Sequence, residues 1–272
     1  MTIWSSGSGH NPKSLPRRSI LTLAKLKQSI APSPGLPRRS RTGRVAQELG
    51  FAIVSGRYKQ HSLLPGDAQL TSQFGISRTV LREAVKTLTG KGLLQSKARV
   101  GTRVRDRNDW NLFDPDVLIW HTQGGLDRSF LQFLGEMRLA LEPEAATLAA
   151  ERRSAQQLTE LYAHVERMGA KGVTIGEFVA ADVDLHLGVA AAAGNPFLKS
   201  ISTLIEVALR SALSRSSPTD ERTGVRRSAA KHKAIIDAIA AHDGEGARKA
   251  MRSVIEEGMR RSLGPPKRRR FS

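Results

Sequence analysis

The chain has 272 residues, 39% of them hydrophobic, no cysteine and a formal net charge of +18. This length admits two modest domains with real cores, and the lack of cysteine excludes disulfides and thiolate metal sites while fitting a reducing cytoplasm. No apolar run is long enough for a helix to span a bilayer.

The charge is unevenly distributed. It amounts to +9 over residues 1–47, +6 over 48–112, −3 over 113–259 and +6 over 260–272. A basic front half and tail around a nearly neutral centre point to a polyanionic partner for the front and a separate task for the centre. Residues 1–40, rich in Ser, Pro, Gly and Arg without apolar periodicity, are expected to form a disordered basic arm, and 263–272 a basic tail. The acid-free, Arg- and Ser-rich start also fits an organellar transit peptide, or translation begun too far upstream.

Structured sequence begins at Arg41. "RVAQELGFAIVSG" places Val45, Leu49, Ala52 and Ile53 at helical spacing and stops at Gly56. A Pro-Gly break opens "LLPGDAQLTSQFG", a shorter helix through Leu70 and Phe74, and Ser77 is placed to cap a third helix in "ISRTVLREAVKTLTGKG". "LLQSKARVGTRV" then alternates as two short strands about a Lys-Ala-Arg turn. Over residues 41–107 this is the order of a winged helix-turn-helix. In the third helix Val80, Leu81, Ala84, Val85 and Leu88 form a buried face, while Arg78, Arg82 and Lys86 recur every four residues, with Thr79 near the amino end. Such an array suits base edges and phosphates in a major groove; alone it would more commonly be a solvated charged face, and its place behind a helix-turn and ahead of a basic wing favours DNA.

"LLPGDAQLTSQFGISRTVLREAVKTLTGKGLL" with the following "GTRV" resembles the DNA-binding domain of GntR-family bacterial transcription regulators. The resemblance implies that Arg78 and Arg82 contact DNA with Thr79 and Lys86 beside them, and that Lys97, Arg99 and Gly101 approach it from the wing. Where the family has Glu-Arg, this chain has Asp67-Ala68, so one common arginine contact is missing and the usual operator consensus does not transfer.

Residues 108–124 read as a linker and 125–262 as an all-helical bundle of six or seven helices. Phe130, Phe133, Leu134, Met137 and Leu141 make one stripe, and Leu158, Leu161 and Val165 another. Further helices are expected from about Ile175, from about Asn195, over Ser228–Ala241 and over Gly244–Arg261. The fold class is thus mainly α, with an amino-terminal winged helix-turn-helix.

Polar residues interrupt this apolar half. Asp182 and His186 lie four apart, as do Arg138 and Glu142, and each pair alone fits an ordinary helix ion pair. His232 shares a face with Ile235, Ile236 and Ile239, which directs it inward as a core histidine or a ligand. Arg210 stands on an otherwise mostly apolar segment, "IEVALRSALSR", as a candidate anion partner.

"EMRLALEPEAATLAAERR", "DVDLHLGVAAAAGNP" and "KHKAIIDAIAAHDGEGARKAM" resemble three stretches of the FCD-type ligand-binding domain of the FadR branch. That resemblance implies a divalent metal, zinc or similar, held by Asp182, His186 and His232, with Val254 where the family has a third histidine. A weak or metal-independent site is the equal alternative. It also implies that Arg138 clamps an effector carboxylate and Glu142 its hydroxyls, with Arg210 as a second anion contact. The linker "RNDWNLFDPDVLIW" resembles that of repressors of galactonate-like catabolism, which implies a sugar-acid effector and a homodimer on operator DNA. A regulator of another organic acid, a binder of nucleic acid by charge alone and a metal-dependent hydrolase are the rival readings. The last lacks HExxH and a clearly placed general base.

Overall fold

The structure, a computed structural model, describes residues 40–124, 128–202, 206, 209–210 and 222–264. The expected arm, apart from residue 40, and residues 265–272 of the expected tail lie outside the described residues.

Helix α1 (Arg41–Val54) starts at Ser40, whose hydroxyl accepts from the Gly43 amide at 2.9 Å. It buries Val45, Ala46, Leu49 and Ile53. Helix α2 (Asp67–Phe74) ends at Gly75, held at φ +61°, a left-handed conformation glycine adopts without a Cβ penalty. That turn feeds α3 (Arg78–Gly90), capped by Ser77 through Val80 N–H. Leu81, Ala84 and Leu88 are its buried residues, whereas Val80 and Val85 stay partly exposed. Strands β1 (Leu94–Lys97) and β2 (Gly101–Val104) pair antiparallel from Leu94↔Val104 to Lys97↔Gly101, and a bridge from Leu63 to Arg103 widens the wing.

A 3₁₀ turn (Arg107–Asp109) leads to α4 (Pro115–Gln123), with Asp114 as N-cap and proline at the first position. This helix packs on two sides. Val117 and Trp120 enter the core made by Leu49, Ile53, Leu70, Leu88 and Leu93. Trp120 lies so close to α1 that a Cβ on Gly50 would meet its ring at 2.4 Å, so only glycine permits the approach. One step round the helix, Leu118 clusters with Phe130, Leu131 and Leu134, and His121 stacks on Phe130 at 4.8 Å.

The remaining helices are α5 (Arg128–Arg152), α6 (Ala155–Gly169), α7 (Ile175–Ala192), α8 (Arg222–Ala240) and α9 (Gly244–Leu263). Capping boxes at Ser154/Gln157 and Thr174/Glu177 fix the starts of α6 and α7. Residues 196–202 are also helical, following Asn195, whose side chain accepts from the Phe197 amide. Small residues on α5 and α7 (Ala146, Ala149, Ala181, Ala192) let large ones such as Leu185, Ile235, Ile236 and Met251 close one core. The expected stripe on α5 is shifted. Phe133 is 60% exposed, and the buried row runs through Phe130, Leu131, Leu134, Arg138 and Glu142, because 131 rather than 133 lies over 134 and 138 at helical spacing. Among the described residues no helix is long and apolar enough to cross a membrane. The mainly-α architecture with an amino-terminal winged helix-turn-helix is the one expected.

Candidate functional site

Two sets of functional residues stand apart in character. On α3 and the wing, Arg78, Thr79, Arg82, Lys86, Lys97, Arg99 and Gly101 are all exposed. None of the five cations among them makes an ion pair with a described residue. Arg99 takes φ +62° and Gly101 φ +111° at the wing tip, where the strands reverse. A row of uncommitted cations on a helix held by a helix-turn-helix, with a basic hairpin beside it, is a surface built for a polyanion.

The second set is buried. Arg138 and Glu142 on α5, Asp182 and His186 on α7, and Ser228 and His232 on α8 are all at most 7% exposed. Arg138 Nε donates to Glu142 Oε1 at 2.6 Å, and its second nitrogen reaches Glu142 Oε2 at 3.3 Å. His186 Nδ1 lies 2.6 Å from Glu142 Oε2, and its Nε2 lies 3.3 Å from Asp182 Oδ1 and 3.2 Å from Arg138. A guanidinium only donates and a carboxylate only accepts, so a protonated His186 serves Asp182 and a neutral one accepts from Arg138. His232 Nδ1 is 2.8 Å from the Ser228 carbonyl, which can only accept, so Nδ1 carries a proton and Nε2 is aimed at Asp182 Oδ1, 3.1 Å away. The two imidazoles meet edge to face at 5.6 Å.

Burial by itself would raise both carboxylates. Arg138 and then His186 instead lower Glu142 to about 2, while His232 and His186 hold Asp182 well below the usual carboxylate range. Burial would lower His186, yet Glu142, opposed in part by Arg138, and the close approach of the Asp182 carboxylate raise it to about 9. Arg138 is likewise kept charged against its burial, by Glu142 first and by Asp182.

Despite their closeness, Asp182 Oδ1 and His232 Nε2 have no hydrogen bond of acceptable direction. An unsatisfied buried polar atom costs about 1–3 kcal/mol, which a cation seated among these atoms would relieve. One donor atom each from Asp182, His186 and His232 lies within 4.8 Å of the others, so the three can coordinate a divalent metal ion. Both rings have Nδ1 engaged by a fixed acceptor and Nε2 directed at the carboxylate, the orientation that outer hydrogen bonds impose on metal-ligating histidines. Val254 and His232 line the same small void of about 10 Å³, with Ser228, Lys231, Glu257 and Arg261 around it. Position 254 is therefore beside the cluster, and its valine supplies no ligand.

Arg210 belongs to a different neighbourhood. It pairs with Glu206 at 3.0 Å and Asp184 at 3.7 Å, and Asp184 also takes Arg167 from α6. Ser228 joins the site through its backbone carbonyl, which its residue type does not signal; its place four residues before His232 is the one sequence cue. A cleft of about 430 Å³ lined by Tyr58, Lys59, Trp110 and His121 lies beside α1 and α4, apart from these converging donors.

Comparison with known proteins matches residues 41–104 to the model described as bacterial regulatory proteins, gntR family, and residues 134–257 to the FCD domain. The chain is 33% identical over 222 residues to the galactonate operon transcriptional repressor of Escherichia coli K12, covering 82% of this chain and 96% of that one. It is 34% identical over 215 residues to the HTH-type transcriptional regulator YieP of the same organism, covering 78% and 90%. Among solved structures, the Listeria monocytogenes protein Lar, described as controlling expression of the agr system, aligns with TM-score 0.56 at 21% identity. That alignment covers 84% of this chain and 98% of the other.

Proposed function

Because the chain belongs to the gntR family of bacterial regulatory proteins and carries an FCD domain, we propose that it represses genes of sugar-acid catabolism and that a carboxylate effector releases it from its operator. Its role is regulatory rather than enzymatic, as for the family. Two copies form a homodimer, and their α3 helices enter successive major grooves of a near-palindromic site. Arg78, Thr79, Arg82 and Lys86 meet bases and phosphates, while Lys97, Arg99 and Gly101 follow the wing.

The observation that carries the sensing half is the convergence of His186 and His232 on one oxygen of Asp182, with Arg138 at 3.2 Å from His186. A divalent ion held by Asp182, His186 and His232 would supply a Lewis-acidic point for an effector oxygen. Arg138 holds the effector carboxylate, and Glu142, already an acceptor, takes hydroxyls. With Val254 giving no ligand, an ion there would keep more positions open for effector or water. The effector class draws support from the likeness to a galactonate operon repressor. An effector coupling of about 1–3 kcal/mol, about 5–150-fold in affinity, makes a working switch.

The test is operator binding at physiological salt, against random competitor DNA, with and without galactonate and related aldonates. Preference for one site and its loss with an aldonate support the reading. Equal binding to random DNA removes the operator, and indifference to every aldonate removes the effector class.

A further inference from the structure

Lys91 is the residue that follows α3, and it is committed away from the DNA. Its Nζ lies 2.8 and 2.7 Å from the two oxygens of Asp114 and 2.9 Å from Asp116. The side chains of Lys91, Asp114 and Asp116 are 12%, 18% and 3% exposed. Its carbonyl accepts from the Asn111 amide at 3.0 Å. Asp114 simultaneously caps α4, accepting from the Asp116 and Val117 amides.

Strength alone does not explain this arrangement. Burying one ammonium with two carboxylates costs desolvation that well-packed apolar side chains avoid, so such a cluster contributes little net stability. What it supplies is direction: two hydrogen bonds to Asp114 and an ion pair with Asp116 fix the end of α3 against the start of α4. The same short helix turns Val117 and Trp120 into the reading-domain core and Leu118 onto Phe130, Leu131 and Leu134 of α5. Its orientation therefore sets how α5, the helix carrying Arg138 and Glu142, departs from the recognition helix.

We infer that Lys91 is a positioning residue for operator recognition, fixing α4 and α5 to α3 and thereby the separation of the two recognition helices in the dimer. This rests on the dimeric reading above. An apolar residue at 91 would leave the DNA contacts of each reader in place while loosening the distance between readers.

The experiment uses the full chain and a duplex selected by it from a random pool, together with the same duplex carrying one inserted base pair between the half-sites. Binding to both is measured for wild type, Lys91→Met, Lys91→Arg and Asp116→Asn, alongside thermal melting. The wild type is expected to lose at least about tenfold on insertion. Lys91→Met is expected to lose less than about threefold, Lys91→Arg to stay as strict as wild type, and Asp116→Asn to fall between. A merely structural lysine would lower melting and weaken both duplexes alike, leaving the ratio at the wild-type value; that result overturns the inference. If Lys91→Met does not fold, Asp116→Asn decides by the same ratio. A wild type indifferent to the insertion overturns the dimeric reading itself, and the inference falls with it.

Discussion

Asp182 Oδ1 and His232 Nε2 face each other at 3.1 Å inside the bundle, both buried, without a hydrogen bond of acceptable direction. Two polar atoms held in this relation favour a cation between them and the neighbouring His186. Zinc binding is expected to follow. In metal-free protein His186 is protonated up to about pH 9, so binding must displace that proton. Apparent zinc affinity should rise about tenfold per pH unit from 7 towards 9, with close to one proton released per ion in buffer-dependent calorimetry. A pH-independent affinity would remove His186 from the ligand set.

Val254→His tests the missing ligand. The valine borders the same void as His232, so an imidazole there adds a fourth donor after a small shift of its neighbours. Zinc affinity measured against a competing chelator should increase by at least about tenfold. No increase in a folded variant would mean that position 254 does not address the ion.

Stability of the metal-free protein should depend on pH through the same groups. The folded-state pKa of His186 is raised from 6.5 to about 9, so its contribution is complete below pH 6.5 and lost as pH climbs through about 9. Glu142 is lowered from 4.5 to about 2, so its contribution is complete above 4.5 and lost as pH falls through about 2. Urea unfolding should show a plateau between these limits, with a decline of about 3 kcal/mol on the alkaline side. Glu142→Gln should flatten both flanks. An alkaline decline that persists in Glu142→Gln would place its origin elsewhere.

The reading surface behaves oppositely. Arg78 and Arg82 are exposed and pair with no described residue, so alanine at either should change unfolding free energy by less than about 0.5 kcal/mol. Arg82→Ala is expected to weaken all duplexes and to reduce the salt slope of binding by about 1, as loss of a phosphate contact does. Arg78→Ala, nearer the amino end of α3, should relax base preference by about 1–3 kcal/mol. Unchanged binding in both variants would move the DNA contacts off α3.

The four-residue spacings of Arg78, Arg82 and Lys86, and of Asp182 and His186, were legible because a helix turns them into faces. His232 was legible from its isoleucine neighbours, which are fully buried beside it. What the sequence hid were contacts between helices distant along the chain. Glu142 meets His186, and Lys91 meets Asp114 and Asp116, only once tertiary packing brings them together. Arg210, an expected anion contact from its apolar context, lies away from the cluster: its guanidinium reaches Asp184, two residues from each cluster member on α7 and turned to a different side. Phe133 departs from the expected apolar stripe because helical spacing gives its core position to Leu131 and leaves its own ring exposed.

The buried cluster is expected to pass an effector's presence to the operator, and a double variant separates that role from DNA reading. His186→Gln with His232→Gln removes both ring ligands and touches nothing on α3 or the wing. Operator affinity is measured by fluorescence anisotropy for wild type and variant, with and without galactonate. The wild type should lose about 5–150-fold with the acid, and the variant should bind the operator within about threefold of wild type yet lose nothing on adding it. A variant still released by galactonate would place the effector site away from His186 and His232.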